Sequence, residues 1–494
     1  MTSQALRDAR KYEEVTGQQI VDEERPRFHL SARVGWMNDP NGFSFYQGQY
    51  HLFYQYHPYD SHWGPMHWGH AVSRDLLVWE YLPAALAPDA LYDRDGCFSG
   101  SAVELDDKRQ LLMYTGVVKE PCPEGGTREV QTQCIAIGDG TDYDKCLENP
   151  VLTRADLPEG GSPFDFRDPK MWREDDGTFG CVVGNCTEDR DGRVLEYRSG
   201  DGIHWSFERI LAENRGRFGK MWECPDFFRL DGKDVLIVSP QDMLPRGMEY
   251  DNGNGTLCLI GGRDLKTGKF VEEADQAVDY GIDFYAPQTL LAPDGRRIMI
   301  GWMQNWDTCN MRWEEKPWFG QMSLPRELSI KEGRLYQQPV RELEALRRDR
   351  REYRQVLVNG ERRLEGICGR IIDMEIVVRP ADKGDMYHKF AVRFAGNERF
   401  HTAVSFRPHE NTVKLDRKFS GSPRAILHQR RCRVDSRGGE LKVRLILDRF
   451  SAEVFVNDGE QVMTATIYTE PGADGITFFA DGEAVMDVVR YGLG

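Results

Sequence analysis

Asp39, Asp168 and Glu223 are the residues whose types and spacing could do chemistry. Asp39-Pro40 returns as Asp168-Pro169 after 129 positions, and Glu223 follows 55 positions later. Acids that recur at the interval of a structural repeat face one another if the repeats surround an axis. Three carboxylates around one cavity suit either of two chemistries. A hard cation takes several oxygen ligands, and glycosidic cleavage takes one carboxyl as acid with a second opposite it. The flanks favour a sugar. Trp36 and Met37 precede the first acid, Phe164 and Phe166 the second, and Trp222 the third, while no D-x-D-x-D loop occurs. An isolated Asp is ordinarily a turn or a solvated charge, so the weight rests on the three together.

The elements that must position these acids read as all-β. Short runs rich in aromatic and β-branched residues, such as 48–55, 110–115, 234–239 and 297–302, are separated by Gly, Asp, Asn and Pro. The pattern S-x-D-x-x-x-W occurs at 73–79 and again at 199–205, an offset of 126. If that offset spans two units, each has about 60–65 residues, the size of a large four-stranded propeller blade. Residues 28–340 then hold a five-bladed β-propeller, whose inner strands converge at one mouth. A short N-terminal helix is expected over 3–23, within an N-terminal segment 1–27, with Ser3 as its cap. Residues 341–355 are charged and helix-prone and read as a linker. Beyond them, alternation such as Leu441-Lys442-Val443-Arg444-Leu445 predicts a C-terminal β-sandwich over 356–494.

The chain has 494 residues, 64 basic and 80 acidic, for a net charge of −16. Such a surface repels nucleic acid and acidic membranes, so neither is an expected partner. No apolar run reaches the length of a membrane-spanning helix. The charged N-terminus shows no secretory signal, which points to the cytosol. Eleven cysteines without zinc or redox spacing read as reduced core thiols. His51, His57, His62, His67 and His70 lack metal-ligand spacing, so no metal and no cofactor are expected.

Trp36-Met37-Asn38-Asp39-Pro40-Asn41-Gly42 resembles the signature of glycoside hydrolase family 32, which includes invertases, sucrose-6-phosphate hydrolases, levanases and inulinases. Phe98-Ser99-Gly100-Ser101-Ala102, Phe166-Arg167-Asp168-Pro169 and Trp222-Glu223-Cys224-Pro225-Asp226 resemble its other main motifs, in order. Asp283 to Gln288, Gly301 to Met303 and Ala452 to Gly459 match weaker ones. The resemblance implies a five-bladed propeller joined to a β-sandwich. It implies Asp39 as nucleophile, Glu223 as general acid/base and Asp168 as transition-state stabiliser, in a double displacement with retention. Arg167 would keep Asp168 charged and oriented. Asn38, Gln55 and Asp168 would bind fructosyl hydroxyls, and Trp36, Met37, Trp63, Phe98 and Trp302 would line the pocket. Ser99 and Tyr285 would add polar contacts, and Cys224 would tune the acid. The substrate expected is a small sugar: sucrose, sucrose 6-phosphate or short fructo-oligosaccharides. The alternatives are a fructosyltransferase on the same scaffold and a fructan-binding protein without turnover. Neither the phosphate preference nor the oligomeric state is legible in the sequence.

Overall fold

The computed structural model describes residues 2–123, 125–310, 316–382, 384–423 and 426–494. Residues 35–339 fold into five antiparallel sheets. Their first strands are Gly35–Tyr46, Gly96–Glu104, Gly161–Arg173, Trp222–Leu230 and Tyr285–Leu291, starting 61 to 65 residues apart. Each touches the first strands of both neighbouring sheets, so the five close a ring: a five-bladed propeller. The ring is latched by Trp318–Phe319 of the fifth blade, which runs parallel to the first strand of blade one. The repeated S-x-D-x-x-x-W marks the same turn in blades one and three. Asp75 Oδ1 accepts from the amides of Leu77 and Val78, and Asp201 Oδ1 from those of Ile203 and His204.

One irregularity recurs in all five first strands. Pairing with the second strand slips between Met37 and Pro40, Phe98 and Gly100, Arg167 and Lys170, Glu223 and Asp226, and Tyr285 and Gln288. Four of these bulges contain a proline (Pro40, Pro169, Pro225, Pro287), which cannot donate to the ladder. Asp168, Cys224 and Ala286 adopt positive φ of 66°, 47° and 50°. A bulge re-aims the side chains around it, and here it does so at one height around the axis.

The C-terminal strands form one ten-stranded ladder folded over as a sandwich. Gly475–Leu493 pairs first with Lys389–Gly396 and then with Ile372–Pro380, turning the corner at Gly482, where φ is 93°. Two expectations are corrected. The N-terminal helix spans only Gln4–Gly17, with Ser3 as its cap, because Gly17 ends it before a separate turn at Asp22–Glu24. Of the expected linker or short helix at 341–355, Arg341–Leu346 is a short 3₁₀ helix, but Arg347–Arg362 is a strand. Its charges guard an exposed sheet edge rather than a helix.

The two domains meet through buried charge. His29 is held by Asp448 (2.8 Å from Nδ1) and Glu453 (3.0 Å from Nε2), and Glu453 also accepts from Arg326. Segment 279–283 lies along the sandwich strand Gln461–Thr466, with Tyr280 N donating to Val462 O and Ile282 N to Thr464 O. Gly281 permits this approach, since a Cβ there would fall 2.0 Å from Thr464 N.

Candidate active site

The bulges arrange the acids in two rings. The first of two successive residues at each bulge (Asn38, Phe98, Arg167, Glu223, Tyr285) form one, and the second (Asp39, Ser99, Asp168, Cys224, Ala286) the other. In the first ring, Arg167 donates to Glu223 Oε1 from Nε (3.1 Å) and Nη2 (2.9 Å). The Tyr285 hydroxyl lies 2.6 Å from Glu223 Oε2. In the second ring, Asp39 Oδ2 accepts from Ser99 Oγ at 2.7 Å, and Asp168 Oδ2 from Cys224 N at 2.9 Å. The Cys224 thiol joins the two acids, 3.5 Å from Asp39 Oδ2 and 3.6 Å from Asp168 Oδ2. Asn38 Nδ2 donates to Asp39 Oδ1 at 3.0 Å, and its own carbonyl is fixed by Trp36 Nε1 at 2.7 Å.

Three acids share one pocket with one guanidinium. Burial foremost, then repulsion from Glu223, raises the Asp39 carboxyl, against the bonds from Ser99, Asn38 and Cys224. Burial lifts Asp168 to about 7, with Arg167 opposing and Glu223 and Asp39 adding to the rise. Arg167 stays charged despite its burial because Glu223, Asp168 and Asp165 surround it. The Cys224 thiol is pushed far up by burial and by the neighbouring acids, so it is not a thiolate nucleophile. Asp39 and Asp168 therefore both resist ionisation in this pocket. The Tyr285 hydroxyl has one hydrogen and two acceptors within reach, Glu223 Oε2 and, at 3.0 Å, the Ser239 carbonyl.

The remaining expected contacts divide. Trp36 stacks on Phe319 at 5.0 Å and sits near Trp302 and Trp306. Trp302 is fully buried, behind the pocket surface. Trp63 is 40% exposed, edge-on to Phe98, at the mouth. Gln55 is buried and donates to Cys97 O. Met37 is corrected: strand alternation turns it away from Trp36, into the apolar packing with Phe43, Tyr54 and Tyr56. The histidines have protein partners, His51 on His70, His57 on His62 O and His67 on Pro65 O.

Sequence reasoning missed several neighbours. Thr115 Oγ1 accepts from Asp168 N, and Gln131 Oε1 takes Phe166 N and Arg167 Nη1. Asp165 pairs with Arg167, and Ser239 receives Tyr285. Thr115, Gln131 and Ser239 lie on second and third strands, outside the recurring motifs. Cys224-Pro225 and Ala286-Pro287 are a usable signal, because they continue the x-Pro series of Asp39 and Asp168.

Known proteins match along nearly the whole length. The glycosyl hydrolases family 32 N-terminal domain matches residues 29–339, and the family's C-terminal domain matches 342–491. A sucrose-6-phosphate hydrolase and a raffinose invertase of Escherichia coli are each 38% identical, with 93% of both chains covered in each case. A β-fructofuranosidase of Bombyx mori, solved as a point mutant in complex with sucrose, superposes with TM-score 0.82 at 34% identity, covering 100% of this chain and 99% of its own. This chain belongs to glycosyl hydrolase family 32 and is a glycoside hydrolase.

Proposed function

We propose that this chain is a retaining β-fructofuranosidase that hydrolyses the fructosyl bond of sucrose, sucrose 6-phosphate or short fructo-oligosaccharides. The observation that carries the proposal is the pairing of two differently supported carboxyls in one pocket. Asp39 receives donors from Asn38, Ser99 and Cys224, whereas Glu223 is held by the Arg167 guanidinium and the Tyr285 hydroxyl. In the first step Asp39 attacks the anomeric carbon of the fructosyl unit. The bond to the glucosyl oxygen breaks, and Glu223 gives that oxygen its proton. In the second step Glu223 takes a proton from water, whose oxygen displaces Asp39 and frees fructose with retained configuration. Asp168, fixed by Cys224 N and Thr115, holds fructosyl hydroxyls and opposes the positive charge that develops at the anomeric carbon. Trp63 and Phe98 cover the apolar sugar face, and Trp36, fully buried behind it, fixes Asn38. Eleven cysteines without a disulfide among the described residues suit a reducing compartment, and we place the enzyme in the cytosol. The E. coli names include both a sucrose-6-phosphate hydrolase and an invertase, so either substrate is within the family's reach.

The deciding experiment compares kcat/KM for sucrose and sucrose 6-phosphate and follows product configuration by NMR. Fructose released first as the β-anomer is expected. Initial inversion would remove the nucleophile role of Asp39, and no release from either sugar or from short fructans would overturn the proposal.

A further inference from the structure

Asp283 begins the motif that ends in Tyr285 and Gln288, yet it points away from the acids. It is fully buried and is met from the sandwich. Its Oδ2 accepts from Arg417 Nη1, from Thr466 N at 2.7 Å and from Thr466 Oγ1 at 2.8 Å. Its Oδ1 accepts from Asn305 Nδ2 at 2.6 Å. Arg417 is also fully buried and is spanned by Leu427 O, Thr466 O and the ring of Tyr468. Asp283 thus joins the C-terminal domain to two parts of the pocket. Two residues on, Tyr285 meets Glu223. Through Asn305, whose Oδ1 takes the amide and hydroxyl of Thr308, it fixes the turn carrying Trp306, which packs 4.9 Å from Trp302 and 6.1 Å from Trp36.

We propose that the β-sandwich completes the active site through Arg417, a positioning residue that acts through Asp283 to set Tyr285 against Glu223 and Trp306 against the Trp36 wall. The proposal rests on Glu223 being the general acid. A buried ion pair is a poor device for mere docking, since apolar residues of the same shape stabilise an interface as well or better. Asp279, four residues before Asp283, already ties the same segment to the sandwich through Thr464 N and Oγ1. What Arg417 adds is a fixed orientation for the carboxylate from which Tyr285 and Asn305 take their places.

The test uses full-length Arg417→Met and Thr466→Val, each checked for folding by circular dichroism. Thr466→Val keeps the side-chain shape and Arg417, so it reports even if Arg417→Met does not fold. Sucrose is compared with 4-nitrophenyl β-fructofuranoside, whose good leaving group needs little help from an acid. Arg417→Met should lower kcat/KM on sucrose by about tenfold to a hundredfold, the cost of a small misplacement. Thr466→Val should lower it about threefold, and in both variants kcat/KM for the nitrophenyl substrate should fall less, because that ratio reports the first step, before Glu223 acts as base. Folded variants with wild-type kcat/KM, or with equal losses on both substrates, would overturn the relay. Glu223→Ala on the same two substrates separates the failures. If it spares kcat/KM for the nitrophenyl fructoside while folded Arg417→Met behaves as wild type, the acid stands and only the relay falls. If it lowers kcat/KM alike on both substrates, the assignment of the acid itself falls.

Discussion

Asp168→Asn should make the protein more stable and nearly inactive. Burial raises the Asp168 carboxyl from its ordinary 3.8 to about 7. An acid whose folded pKa lies above its unfolded value binds more protons in the folded state between those two pH values. Stability therefore falls as pH rises from about 4 to about 7 and stays low above that. A rise of about three pH units, at about 1.4 kcal/mol each, is worth about 4 kcal/mol. Asp39, whose carboxyl is also raised, lies beside it, so part of that penalty reappears there. Asparagine copies the neutral acid and can still accept from Cys224 N. It is also among the side-chain-bearing residues that best tolerate a backbone at φ 66°. Urea unfolding at pH 8 should show the variant more stable by about 1–4 kcal/mol, with the difference gone at pH 4, where both chains carry a neutral group. On sucrose, kcat should fall by at least about a hundredfold. Equal or lower stability of the variant at pH 8, or a gain that persists at pH 4, would refute the view that Asp168 is an under-compensated buried charge.

Other perturbations separate the roles further. Asp39→Asn and Glu223→Gln should each lower kcat by several orders of magnitude with circular dichroism unchanged, and near-normal turnover in either would reassign the residue. Tyr285→Phe removes the hydroxyl that donates to Glu223, and kcat on sucrose should drop about tenfold to a hundredfold with KM little changed; a pure KM effect would make Tyr285 a binding residue only. At the domain interface, Asp448 and Glu453 overcome the opposing effect of burial and raise His29 to about 9. A cation with a raised pKa contributes stability that is fully present below about pH 6.5 and is lost as pH climbs through 9. His29→Gln should therefore cost about 3 kcal/mol at pH 6 and much less at pH 10, measured by urea unfolding. A cost independent of pH would mean that His29 acts by shape alone.

Much of this architecture is legible in the sequence because a propeller writes its period into the chain. The echo of Ser73-x-Asp75 in Ser199-x-Asp201 reports one Asx turn used twice, and its offset of 126 is two blades. The strand at Arg347–Arg362 is hidden because an exposed edge carries Arg, Glu or Asp at nine of its sixteen positions, which is also how a solvated helix reads. Met37 reads as a pocket residue because it stands within a motif, although neighbours in a strand face opposite ways. The domain contacts of His29, Arg417 and Asp283 are invisible to pattern, since each joins residues more than a hundred positions apart.

The catalytic pairing itself has a simple origin in the bulges. In a regular strand only every second side chain faces the axis, so one strand would offer either Asn38 or Asp39, and either Glu223 or Cys224. The inserted residue at each bulge brings two successive side chains into the same pocket. Arg167 thereby reaches Glu223 in the next blade while Asp168, its immediate neighbour, takes the Cys224 amide. On the proposed roles, one ring holds the general acid among Arg167, Glu223 and Tyr285, and the other holds the nucleophile and its supports among Asp39, Ser99, Asp168 and Cys224. Proline after Asp39, Asp168 and Cys224 blocks the regular ladder where the second side chain must turn in. A change such as Pro169→Ala, which lets the regular pairing compete, should weaken catalysis through geometry although it removes no group that touches the sugar.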